Sequence, residues 1–225
     1  MKLIEKIDLF IKNIVVSLEY NKRRGEEVMM MNTHKTLANI FIETIEDNKS
    51  FLISSGHFVW GNLKPDSVSK YKFKKHYIDE SFDMIVKKIR FLSSLTIDDI
   101  FIRYSIGKFN QELGVVCHFL CDYFCVPHYQ RWEFKSPSAM KEHVLYENDL
   151  NKFAKIYTIR KDINTFLTSE EIGSYILKLQ KEYNGKISYE KDLLYASHIC
   201  NSVINLILDE VILNQKIKEN INKVI

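Results

Sequence analysis

Five metal-competent side chains fall within one short stretch of the chain: His118 and Asp122, then His128, then His143 and Glu147. Side chains four apart on an α-helix share a face, so each of the two His-x3-acid pairs can aim at one point. Neutral imidazole with carboxylate is a ligand mixture that zinc accepts, with iron or manganese as alternatives. A histidine four residues from an acid is more often a solvated ion pair or a hydrogen-bonded core histidine, and either pair alone would read that way. The first pair, however, sits among Val115, Val116, Phe119, Leu120 and Phe124, which places Asp122 near a buried face. A buried carboxylate without a partner is costly, and a metal ion is one way to offset that cost. Two such pairs with Pro127-His128 between them favour a metal centre.

The elements that must position these residues read as helices. Hydrophobic residues make up 46% of the 225, against only 7 Gly and 3 Pro, a balance that predicts a mostly helical chain with one substantial core. Residues 1–28 read as an amphipathic helix and loop packed on the domain, and 29–225 as the helical domain itself. Asn32 or Thr33 can cap a helix running to about Asn48, with His34 in its first turn. Gly56, Gly61 and Pro65 suggest a short helix and then a loop that presents Asp66. The basic run from Lys70 to His76 leads to a helix over 79–94. Thr96 and Asp99 form a capping pair ahead of a long helix over 97–125, which Pro127 ends. Trp132 and Phe134 follow in a loop, where they either wall a pocket or pack on their own domain. A second long helix over 139–167 carries His143 and Glu147. Thr168 with Glu171 starts the next helix, Asn184-Gly185 ends it, and Ser188 starts the last. Leu193, Leu194 and His198 are expected inside that last helix's buried face.

In their order along the chain, these residues resemble the core of the bacterial zinc-dependent phospholipases C, relatives of the S1/P1 nucleases. The resemblance lies in HFLCDYFCVPH followed by HVLYE, with Asn32-Thr33-His34 and Trp60-Gly61-Asn62-Leu63-Lys64-Pro65-Asp66 upstream and His76 ten residues later. It implies an all-α domain of long helices carrying a polynuclear metal site. One ion would be held by Asp66, His76 and His118, with Asp122 bridging to a second that also uses His34; a third would be held by His128, His143 and Glu147. The implied cofactor is zinc, two or three ions, with other divalent metals as alternatives. The implied reaction is phosphodiester hydrolysis by a metal-activated hydroxide, with Asp66 and Asp122 as the catalytic carboxylates. A phospholipid or related phosphodiester is the expected partner, met at a transient membrane surface.

Two departures bear on that expectation. In the exported enzymes an amino-terminal tryptophan completes the metal held by the first histidine, whereas 33 residues precede His34 here and none is Trp. Two ions are therefore expected ahead of three. Cys121 also stands where the family has a glycine.

Other functions fit the sequence less well. A net charge of +3 lacks the strongly basic footprint of a nucleic-acid binder, so a nuclease is the secondary reading. Redox di-iron bundles use Glu-x-x-His pairs, and the chain has none. A non-catalytic metal-binding relative is the remaining alternative. Cys117, Cys121, Cys125 and Cys200 read as reduced thiols packed as small hydrophobes. Residues 1–18 are interrupted by Glu5, Lys6, Asp8 and Lys12 and lead to no small-residue cleavage site, so the expected compartment is the cytoplasm.

Overall fold

The computed structural model describes residues 32–67, 76–132, 137–157 and 167–224. The amphipathic segment expected over 1–28, the basic run before His76, and Phe134 lie outside the described residues. Those residues form helices and turns, with no strand among them. The helices are α1 (32–44), α2 (Ser55–Ser67), α3 (Ile78–Ser93), α4 (Ile106–Tyr123), the single-turn α5 (Val126–Tyr129), α6 (Pro137–Ala154), α7 (Ile172–Tyr183) and α8 (Tyr189–Val224).

Helix α4 is the centre of the molecule. From Leu113 to Tyr123 every residue is buried, the pattern of a helix covered on all sides. Helices α2, α3 and α8 pack around it. The α2–α4 contact is backbone against backbone. A Cβ added at Gly61 would lie 2.3 Å from the Gln111 carbonyl oxygen, and one at Gly114 would lie 2.3 Å from that of Phe58. Helix α8 supplies Leu193, Ala196, Ile199, Cys200, Val203 and Ile207 to the same core. By length and composition it could cross a membrane, but 61% of its apolar window is buried, as in a core helix.

Several element boundaries differ from the sequence expectation. Asp66 is not on a loop but in the last turn of α2, because Phe58, Gly61, Asn62 and Pro65 form one buried helical face whose packing overrides the Gly and Pro turn signals. The helix expected over 97–125 is split. A π-helical turn, Asp99–Tyr104, ends at Ser105, whose φ of 80° breaks the helix and whose hydroxyl caps α4 by accepting from Lys108 N. Pro127 does not end α4, which stops at Tyr123. Instead it sits in the first turn of α5, where a missing N–H costs nothing. Helix α6 stops at Ala154, where its buried periodicity gives way to the exposed Ile156. Helix α1 ends at residue 44 rather than 48, and Thr33 faces inward to Glu147 instead of capping it.

The expected caps at Thr96–Asp99 and Thr168–Glu171 form, as does the left-handed stop at Asn184. On α8, Leu194 is exposed and His198 only half-buried, where its ring meets the Tyr175 hydroxyl.

Candidate metal centre

His34, Leu37, Ala38 and Phe41 share the buried face of α1, which lays His34 against α4. There its ring stacks on His118, with centroids 3.9 Å apart. His118 and Asp122 occupy one face of α4, and Asp66 reaches it from the end of α2. His76 lies two residues ahead of α3, His128 sits on α5, and His143 with Glu147 share a face of α6. All eight residues singled out in the sequence converge on one buried region.

Asp122 is at its centre. One carboxylate oxygen, Oδ2, lies 2.8 Å from His76 Nδ1 and 3.2 Å from His118 Nε2. The other, Oδ1, lies 3.2 Å from His34 Nε2 and 3.6 Å from His128 Nε2. On one flank, Asp66 Oδ1 is 3.7 Å from both His76 Nδ1 and His118 Nε2. On the other, Glu147 Oε1 is 2.8 Å from His143 Nε2 and 3.2 Å from His128 Nε2. Three clusters thus bring their donor atoms within 4.8 Å of one another: His34, His118 and Asp122; Asp66, His76 and His118; and His128, His143 and Glu147.

Electrostatics divides the clustered residues. Burial pulls His34 down, but the Asp122 carboxylate more than compensates and holds it well above the ordinary histidine value. His76 shifts the same way, burial again being outweighed by Asp122. Burial and the neighbouring His34 charge push His118 down, towards the neutral ligand form. For Asp122 burial acts upward, but the surrounding His118, His128 and His34 hold it well below the usual carboxylate range. Glu147 is depressed by His128 and His143, again against burial.

The donor set fits a zinc-type ion. His118 Nδ1 donates to the Asn62 carbonyl at 2.7 Å, which leaves Nε2 as a bare lone pair facing Asp66, His76 and Asp122. Asn62 can come that close because Gly61 and Gly114 let the two helix backbones touch. Asp66 Oδ2 is buried without a hydrogen-bond partner. Imidazole nitrogens and carboxylate oxygens in groups of three match zinc's preferred ligands. Beneath the cluster, between Asp122, Glu147 and Asp192, lies a cavity of about 20 Å³, room for one water-sized occupant.

Towards solvent, a cleft of about 260 Å³ is lined by His76, Asp122 and His128, with Tyr77, Asp79, Tyr129, Arg131 and Gln180 around them. Arg131 adopts a left-handed φ of 53° and lays its guanidinium 4.6 Å over the Tyr77 ring, paired to Asp79. Trp132 packs on Tyr146 and is not among the residues lining this cleft. The sequence offered Asn62 only as part of the stretch Trp60 to Asp66, and gave Arg131 and Asp192 no role. Asp192 shows in the sequence only as a first-turn acid of α8, and Arg131 carries no mark at all.

A family model described as zinc-dependent phospholipase C matches residues 33–190. No curated protein and no solved structure matches the chain. The match takes in every residue of the cluster and most of the chain, and its family consists of zinc-dependent phosphoric diester hydrolases. The chain belongs to the zinc-dependent phospholipase C family.

Proposed function

We propose that the eight clustered residues hold two or three zinc ions and that the cleft above them hydrolyses a phospholipid at the bond between phosphate and glycerol. The observation that carries this reading is the fully buried Asp122 carboxylate, whose two oxygens face two different sets of histidines. Zinc, when bound, lowers the pKa of a coordinated water from about 15.7 towards 7 and offsets charge on phosphoryl oxygens. Asp122 joins the two flanks. Asp66, with its unpartnered buried oxygen, orients the attacking water and accepts its proton. His34 completes the set on the inner side, and His128, His143 and Glu147 hold the outer flank. Water's oxygen bonds to phosphorus as the glycerol oxygen departs and takes up a proton, which yields diacylglycerol and a phosphomonoester.

The cleft volume of about 260 Å³ falls just below the usual range of small-molecule pockets, a size suited to a headgroup with its phosphate and not to two acyl chains. The lipid tails would then remain in the membrane surface while the headgroup enters.

The test is a parallel assay of a chromogenic phosphodiester, phosphatidylcholine vesicles and single-stranded nucleic acid, each with and without chelator. Chelator-sensitive hydrolysis of the first two is expected. Cleavage of nucleic acid alone would turn the reading to a nuclease, and zinc binding without any hydrolysis would turn it to a non-catalytic relative.

A further inference from the structure

We infer that Asp192 is a positioning residue for the group of His128, His143 and Glu147, fixing the separation of α5 and α6; this rests on the metal reading of that group. Asp192 lies in the first turn of α8 and is 1% exposed. Its hydrogen bonds come from three neutral donors on three other elements: Val126 N at 3.2 Å, the Tyr146 hydroxyl at 2.8 Å and the Tyr183 hydroxyl. Packing alone would be served by an apolar side chain, as at Leu193 and Ala196 beside it. A buried carboxylate without a cation is expensive, so its contribution must lie in the bonds it makes.

Those bonds end next to the ligands. Val126 N is among the first N–H groups of α5, which have no acceptor within the helix, and His128 follows two residues later. Tyr146 immediately precedes Glu147 and lies one turn from His143. The same Asp192 oxygen takes both Val126 N and the Tyr146 hydroxyl, so one atom sets how far α5 stands from α6. The distance it controls is that between His128 Nε2 and Glu147 Oε1, 3.2 Å here. Tyr183 secures the other oxygen to α7 and keeps the carboxylate from rotating. The flank of Asp66, His76 and His118 has no bond to Asp192 among the described contacts and depends on α2 packing instead.

The test is competitive zinc titration of the metal-free full chain against a chromogenic chelator, repeated with cobalt(II) to read ligand geometry from its absorption. Tyr146→Phe removes one link and leaves the carboxylate; Asp192→Ala removes all three; Asp192→Asn keeps an oxygen able to accept from both Val126 N and Tyr146. Tyr146→Phe and Asp192→Ala are expected to weaken one class of zinc site by about tenfold or more and leave the rest unchanged, with Asp192→Asn restoring it to within about threefold of wild type. Should Asp192→Ala fail to fold, the Tyr146→Phe and Asp192→Asn pair still decides. Wild-type affinity at every site in Tyr146→Phe, or losses spread evenly over all zinc ions, would overturn the proposal. A wild-type chain that takes up no zinc would instead sink the metal reading itself, and the proposal with it.

Discussion

The two flanks of Asp122 carry similar candidate ligands but are held by different physics. On the side of Asp66, His76 and His118, the scaffold is a glycine-mediated contact between α2 and α4, and His118 is fixed by a backbone carbonyl. On the side of His128, His143 and Glu147, the scaffold is a hydrogen-bonded carboxylate reaching across from α8. Backbone contact leaves no room for adjustment, since interiors are close-packed and resist even one added methyl. A side-chain hub can be altered one bond at a time. The first flank should therefore fail abruptly when disturbed, and the second by degrees.

The largest effect should come from the residue both flanks share. Asp122→Asn or His118→Ala is expected to abolish hydrolysis and lower zinc content, measured by turnover and elemental analysis; full activity in either would break the site assignment. Next, Gly114→Ala places a Cβ against the Phe58 carbonyl and forces α2 from α4. A loss of about 3 kcal/mol, the upper end for overpacking, is expected in denaturant unfolding. A comparable loss from an added methyl at Gly173, where a Cβ meets nothing closer than 3.6 Å, would dissolve the distinction.

The hub has its own pH signature. Burial raises Asp192 to about 6, despite the donors that favour its ionised form. A carboxyl raised in the folded state contributes stability below its unfolded value near 4, and that contribution is lost as pH rises through about 6. With chelator present, wild type should therefore lose roughly 2–3 kcal/mol relative to Asp192→Asn between pH 4 and 7. Parallel curves for the two proteins would remove the buried charge from the account.

Zinc should sharpen the contrast from the opposite direction. His34 is raised, so in the metal-free protein its contribution is present below about 6.5 and lost as pH climbs through its folded value. Zinc needs that imidazole neutral. The gap in melting temperature between zinc-loaded and chelated protein should widen from pH 5.5 to 8, and a narrowing gap would contradict this. The smallest effect is expected at Cys121. Its thiol shares a hydrogen bond with that of Cys200 at 3.7 Å and forms no disulfide, so Cys121→Ala should leave zinc content and turnover within about twofold, below a 1 kcal/mol change.

Much of this clustering was legible in the sequence because metal-competent side chains at helical spacing leave a local mark. His118 with Asp122 and His143 with Glu147 announce themselves by four-residue spacing, and the polar caps at Thr96 and Thr168 by their acid three residues on. Tertiary contact was harder to read. Gly61 and Pro65 look like turn residues until α4 is laid against them, and only then does Asp66 belong to a helix. Ser105 carries no sign of a left-handed backbone. Asp192 looks like an ordinary first-turn acid, because the donors that define it come from residues 126, 146 and 183.

The most direct test is anomalous diffraction at the zinc absorption edge from crystals of the zinc-loaded chain. Separate peaks are expected on the two sides of the Asp122 carboxylate, one about 2.0–2.1 Å from His118 Nε2. Peaks confined to the surface, with the eight side chains still clustered around no ion, would contradict that expectation.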